Sequence, residues 1–106
     1  MNARKLRSIY MSKTQIAELM NCERHTVQRQ CDGLEEFNQQ YHRYAYPFNQ
    51  RNVHLGVYLD WQSRKKALLD ERTRNYVPPF NPYEALAYAG IAIIDQDGEV
   101  VECITQ

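Results

Sequence analysis

Residues 12–32, SKTQIAELMNCERHTVQRQCD, constrain the fold of this chain more than any other stretch. Ser12 is a good helix N-cap. Gln15 lies three residues later, where each side chain can satisfy the other residue's backbone N–H. Ile16, Leu19 and Met20 recur at the i, i+3, i+4 spacing of one helical face. Ala17 lies among them, small enough to let a second helix cross closely. Asn21 tolerates the left-handed backbone better than most residues with a Cβ, so it suits a sharp turn. A second helix starts near Glu23 or Arg24. Val27, Cys31 and Leu34 mark its inner face, and Arg24, His25, Gln28, Arg29 and Asp32 point away from it.

A small inner residue, a turn residue four later and a β-branched residue ten later (Ala17, Asn21, Val27) have the spacing of a helix-turn-helix. A plain helical hairpin in a core shares that spacing. The outward residues separate the two readings. Arg and Gln can make paired hydrogen bonds to guanine and adenine edges, and Thr26 can reach a phosphate or a thymine methyl.

A net charge of zero conceals a segregation. All 13 Lys and Arg fall in residues 1–74 beside eight acids, so that part carries 13 − 8 = +5; residues 75–106 hold five acids and no base, giving −5. A basic front part is what a phosphate-binding surface requires, and the acidic back part is expected to face away from DNA. Cys22 and Cys31 fall where the hairpin wants small apolar residues. With His25 they match no common zinc spacing, so neither a metal nor a cofactor is expected. Unpaired thiols suit a reducing compartment. No apolar run approaches the roughly 20 residues of a membrane span. The opening MNARKLRSIYM lacks the apolar segment of a signal peptide. A cytoplasmic protein without membrane contact is expected. No nucleophile elbow, phosphate loop or supported carboxylate pair points to an enzyme.

The remaining chain reads as support. Arg4, Lys5 and Arg7 form a flexible arm or a first helical turn, and residues 9–11 an extended lead into Ser12. Gly33 weakens a helix by about 1 kcal/mol relative to Ala. The second helix is therefore expected to bend or stop there, with a new one over residues 33–41. Residues 44–46 and 52–55, around the turn residues Pro47 to Gln50, predict a short hairpin, a wing, with Arg43 and Arg51 near its base and tip. His42 and His54 read as ordinary surface or packing residues. A helix over 57–74 carries Tyr58, Trp61, Lys65, Leu68 and Leu69 on one side and the basic run Arg64-Lys65-Lys66. Pro78-Pro79 break the chain. Asn81 then caps a helix over 82–89 that ends at Gly90. Residues 91–94 and 100–104 flank Asp97-Gly98 and predict a β-hairpin. An isolated hairpin is only marginally stable, so it needs a partner: the wing, the helices or the same hairpin of a second copy.

The run Ile9-Tyr10-Met11-Ser12 followed by KTQIAELMNCERHTVQRQ resembles the N-terminal half of winged helix-turn-helix proteins of the excisionase and mercury-resistance-regulator type. HRYAY, NVHLGVYLDW, SRKKALLDERTR and NYVPPFNP extend the resemblance, over roughly residues 9–83, to small helix-turn-helix proteins of bacteriophages and integrated elements. The chain departs from that pattern at the turn. Many such proteins have glycine there and Ser or Thr capping the recognition helix, where this chain has Asn21 and Glu23.

The expected fold is mainly α with a small β component (α+β). Residues 1–75 would form a winged helix-turn-helix domain with a basic helix, and residues 76–106 an acidic helix-plus-hairpin appendage. The resemblance implies sequence-specific binding of double-stranded DNA, as a transcriptional regulator or excisionase-like factor of a phage or mobile element. Arg24, His25, Thr26, Gln28 and Arg29 would face the major groove; Lys13, Thr14, Arg43 and Arg51 would hold phosphates or the minor groove. The alternative is an inhibitor or anti-repressor that engages a host protein through its C-terminal segment. A homodimer through residues 91–104 is a further expectation.

Overall fold

In the computed structural model, which describes residues 4–6, 8–94 and 100–104, the chain reverses direction at Asn21. Helix α1 (Lys13–Met20) starts on the reciprocal cap read from the sequence. The Gln15 N–H donates to Ser12 Oγ at 3.2 Å, and the Ser12 N–H donates to Gln15 Oε1 at 2.9 Å. It ends on Asn21, left-handed at φ 54° and ψ 49°. The N–H groups of Asn21 and Cys22 return to the carbonyls of Glu18 and Ala17, satisfying acceptors the helix leaves open. Ile16 and Ala17 are buried against Val27 and Cys31 of the next helix.

Helix α2 runs from Arg24 to Gln40 without interruption. The expected bend or stop at Gly33 does not occur. Val27, Cys31, Leu34 and Phe37 form one unbroken buried stripe across the glycine, and their burial exceeds the roughly 1 kcal/mol that one glycine costs a helix. Trp61 packs over Gly33: a Cβ placed there would lie 3.8 Å from Trp61 Cζ2, an ordinary contact distance.

The predicted wing hairpin is also corrected. His42–Tyr44 is a 3-10 turn, and residues 45–52 form no strand. The reason lies in Asn38 of α2. Its amide accepts from the Tyr46 N–H at 2.8 Å and donates to the Tyr46 carbonyl at 3.0 Å, taking both backbone groups that a strand partner would have used. The expected return strand shrinks to β3 (Val53–His54). It pairs antiparallel with β2 (Tyr10–Met11), the extended lead into α1.

Helix α3 covers Leu55–Leu69, shorter than the predicted 57–74 at its C-terminal end. Side chains from the following turn close it. Thr73 Oγ1 donates to the Ala67 carbonyl at 2.7 Å and Arg74 Nε to the Leu68 carbonyl at 2.6 Å. Leu69, expected on the buried stripe, is 55% exposed. Helix α4 (Pro82–Ala89) follows the two prolines, and Gly90 ends it at φ 64°.

Strands β4 (Ile91–Ile94) and β5 (Val100–Ile104) pair antiparallel as predicted, the connection between them lying outside the described residues. The N-terminal arm is not an arm over Arg4–Leu6. These residues form β1 and pair in parallel with β4, giving the sheet order β1-β4-β5. The hairpin thus finds its partner within the same chain. The core also crosses the boundary expected at residues 75 and 76: Leu6, Leu86 and Ile91 share one buried cluster with Ile16, Val27 and Leu55. A second cluster gathers Leu34, Phe37, Tyr46, Val57, Trp61 and Leu68 between α2, α3 and the loop. The fold is α+β, mostly helical, and no helix among the described residues is long and apolar enough to cross a membrane.

Candidate nucleic-acid interface

The first two turns of α2 gather five of the residues singled out in the sequence: Arg24, His25, Thr26, Gln28 and Arg29. Arg24, His25 and Arg29 are exposed, while Thr26 and Gln28 are half-buried. Arg24 and Arg29 have no side-chain partner among the described residues. Lys13 and Thr14 occupy the first turn of the neighbouring helix α1, Thr14 exposed and Lys13 half-buried.

Two of the polar groups at this end are already engaged. His25 Nδ1 lies 2.9 Å from Glu23 Oε2, with both side chains mostly exposed. Such a contact contributes little to stability. Glu23 is the N-cap of α2, yet its side chain makes no capping bond. Gln28 Nε2 donates to Asp32 Oδ1 at 2.8 Å, one turn further along.

The polar character of α2 changes beyond Arg29. Asp32, Glu35 and Glu36 are exposed carboxylates. Two of them hold the loop: Gln50 Nε2 donates to Glu35 Oε2 at 2.5 Å and Asp32 Oδ1 at 3.2 Å. Residues 45–52 are thereby laid along α2, pinned by Asn38 at one end and by Gln50 at the other. Arg51 is exposed beside that second pin, its N–H donating to Asn49 Oδ1 at 2.8 Å.

Arg43 is not brought to this cluster. It follows the C-terminus of α2, and a 17-residue helix is about 25 Å long at 1.5 Å per residue. The basic run of α3 is also largely spoken for. Arg64 Nε lies 3.4 Å from Asp60 Oδ1, and its Nη2 lies 3.3 Å from Glu84 Oε1. Lys65 Nζ donates to Gln30 Oε1 at 2.8 Å, and Lys66 is exposed.

Behind the loop lies a polar centre that the sequence did not reveal. Asp60 is only 4% exposed. It accepts from the Tyr46 hydroxyl at 2.5 Å and pairs with Arg64, which also donates to the Pro78 carbonyl at 3.2 Å. Burial and the hydrogen bond to Asp60 push the Tyr46 hydroxyl well above its ordinary range, so it stays protonated and donating. In the sequence Tyr46 read as a strand residue, and no local pattern marked Asp60 as buried. The i, i+4 spacing of Asp60 and Arg64 was the available signal; its burial depends on Tyr46, fourteen residues away.

The cysteines separate by environment. Cys31 is buried, and desolvation raises its thiol to about 11, which makes it unreactive. Cys22, expected to pack in the hairpin, is exposed because the left-handed turn at Asn21 carries it outward. Among the described residues no group of three or more His, Cys, Asp or Glu is placed to hold a metal ion. No protein-family model, curated protein or solved structure matches this chain.

Proposed function

We propose that the chain binds double-stranded DNA in a sequence-dependent way, inserting the N-terminal half of α2 into the major groove. The observation that carries this reading is the state of Arg24 and Arg29. They are exposed, unpaired among the described residues, and mounted on the first two turns of a helix whose inner face is fully packed. A recognition helix uses that end to reach base edges. His25, Thr26 and Gln28 stand on the same turns. Lys13 and Thr14, on the first turn of α1, would take a phosphate in this reading, since the first helix of such a hairpin crosses the backbone.

In this reading the loop over residues 45–52 does the work of a wing without being a hairpin, presenting Arg51 to the backbone or minor groove. Arg43, a helix length away, drops out of the contact set. The acidic second half of α2 limits how deeply the helix can lie along the groove, since Asp32, Glu35 and Glu36 would meet phosphates. The biological role proposed is that of a transcriptional regulator or excisionase-like factor of a phage or mobile element.

Selection from random duplex DNA, followed by salt titration on the enriched sequence, tests the reading. An enriched motif with affinity falling steeply with salt is expected. Arg29→Ala should weaken the selected site by roughly 1–3 kcal/mol and relax one base position. Failure to enrich any motif overturns sequence-dependent binding. Equal loss on every duplex makes Arg29 a backbone contact.

A further inference from the structure

The end of the molecule opposite Arg24 carries a second surface with different chemistry. A cleft of about 290 Å³ opens there, lined by residues 43–46, Leu68 and residues 77–80. Its aromatic walls are Tyr44, Tyr46 and Phe80, with Tyr46 and Phe80 in edge contact at 5.3 Å. Pro78 and Pro79 supply further lining wall. The frame is held on every side. Tyr44 Oη is bonded to Asn75 Oδ1, Tyr46 is tied to Asp60, and the Pro78 carbonyl accepts from Arg64. Arg74 stacks on Tyr41 at 3.9 Å just behind it. The cleft is thus preformed.

Three features define what would enter it. First, Arg43 is the one charged residue in the lining, and no acid lines the cleft. Asp70, two residues beyond the lining residue Leu68, is paired with Arg72 at 3.0 Å. Second, the residues next in sequence to two lining residues are exposed and apolar: Leu69, after Leu68, is 55% exposed, and Tyr76, before Val77, is 86% exposed. Third, the two prolines have no N–H to offer. An incoming chain cannot add to this wall as a β-strand and must be gripped through side chains. The volume sits at the lower limit of ligand pockets, room for one large side chain rather than a cofactor.

We infer that this cleft is a docking site for an acidic peptide segment of a protein partner, taking one aromatic or branched apolar side chain between Tyr44, Phe80 and Pro79 while an adjacent carboxylate pairs with Arg43. The position argues for a partner distinct from the duplex. The cleft lies about one α2 length, roughly 25 Å, from Arg24, on the far side of three carboxylates that repel phosphate. Both ligands can therefore be held at once.

The probe is an acetylated heptapeptide with a central phenylalanine flanked on each side by three glutamates, titrated into the full chain and followed by two-dimensional amide NMR. Shifts concentrated at residues 43–46 and 77–80 are expected. Binding should be at least tenfold tighter than for the same peptide with central alanine or with lysine flanks. Arg43→Glu, an exposed substitution whose fold is checked by circular dichroism, should lose at least tenfold. Arg24→Ala should leave peptide binding unchanged, which separates this surface from the proposed duplex contact. Shifts confined to residues 24–29, or none at millimolar peptide, overturn the inference. So does an eight-nucleotide oligothymidine that shifts the cleft residues at lower concentration than the peptide, since that outcome assigns the cleft to single-stranded nucleic acid.

Discussion

The two halves of α2 both expose polar residues, basic in the first half and acidic in the second, and put them to opposite uses. In the first half Arg24 and Arg29 project with no partner among the described residues. In the second half Asn38 and the carboxylates of Asp32 and Glu35 hold down residues 45–52. The loop then delivers Tyr46 to the buried Asp60. Composition alone does not tell a binding surface from scaffolding. The difference is whether a group's hydrogen-bonding capacity is already spent inside the chain, because a spent group must be broken free before it can serve a ligand.

The largest expected effect lies on the scaffolding side. Asp60→Ala leaves Arg64, whose side chain is only 18% exposed, with the more exposed Glu84 as its remaining carboxylate and leaves the Tyr46 hydroxyl without its acceptor. A loss of about 3–5 kcal/mol in urea unfolding is expected for removing one partner of a buried pair. Tyr46→Phe should lose roughly 1.5–3 kcal/mol, the range for a hydrogen bond to a charged group. A loss below about 1 kcal/mol for Asp60→Ala would erase the contrast between the two halves, because the pinned half would then be no more structural than the open one.

The same contrast marks where the sequence was legible. The hairpin of α1 and α2 was readable because its determinants are local. Ser12 and Gln15 cap within one turn, Asn21 turns the chain by its own backbone preference, and the inner stripes repeat at helical spacing. Helix α4 was readable for the same reason, with Asn81, Pro82 and Gly90 all acting on neighbours. The candidate reading residues on α2 followed from that periodicity. The loop was not readable. Alternation at Tyr44, Ala45 and Tyr46 fits a strand, but Asn38 supplies the hydrogen bonds of a strand partner from a helix, and nothing local records that. Gly33 misled in the opposite direction, since a local penalty was outweighed by packing of Leu34 and Phe37 against Trp61. The pairing of β1 with β4 joins residues nearly ninety positions apart. No short-range pattern encodes it; the basic composition of the N-terminus even argued for a solvated arm.

His54 tests the scaffold at the start of α3 through pH. It pairs with Tyr10 in the small sheet and caps α3, its Nδ1 accepting from the Val57 N–H at 3.4 Å. Its ring meets Tyr10 edge-on at 5.2 Å and Phe80 at 6.3 Å. Burial holds its pKa below the ordinary 6.5. Unfolded, the imidazole takes a proton near 6.5; folded, it resists until the pH is lower. Between those two values the unfolded chain binds more protons, so stability falls as pH drops through the window. A protonated ring also cannot accept the Val57 N–H. His54→Asn keeps a strong N-cap acceptor that does not titrate. Unfolding followed from pH 7 to pH 5 should show a stability loss in the parent chain that the variant lacks. Parallel curves would move the pH dependence to another group.

Glu23 gives the smallest effect and addresses the open half of α2 directly. As N-cap it contributes no side-chain bond to the helix, though its carboxylate sits favourably at the positive end of the helix dipole. Glu23→Ser exchanges that charge, worth about 0.3–1 kcal/mol, for a hydroxyl cap worth about 1 kcal/mol. Stability should rise by a few tenths of a kcal/mol at most. The effect on DNA is the sharper measurement. The carboxylate lies 2.9 Å from His25 and at the helix end proposed to enter the groove. If it acts on phosphates by repulsion, the serine variant binds every duplex more tightly, with the gain shrinking as salt is raised. If it instead accepts from a cytosine amino group, the variant loses affinity only for duplexes with cytosine at one position. Repulsion is the expected outcome, because Glu23 is already turned toward His25 on its own helix.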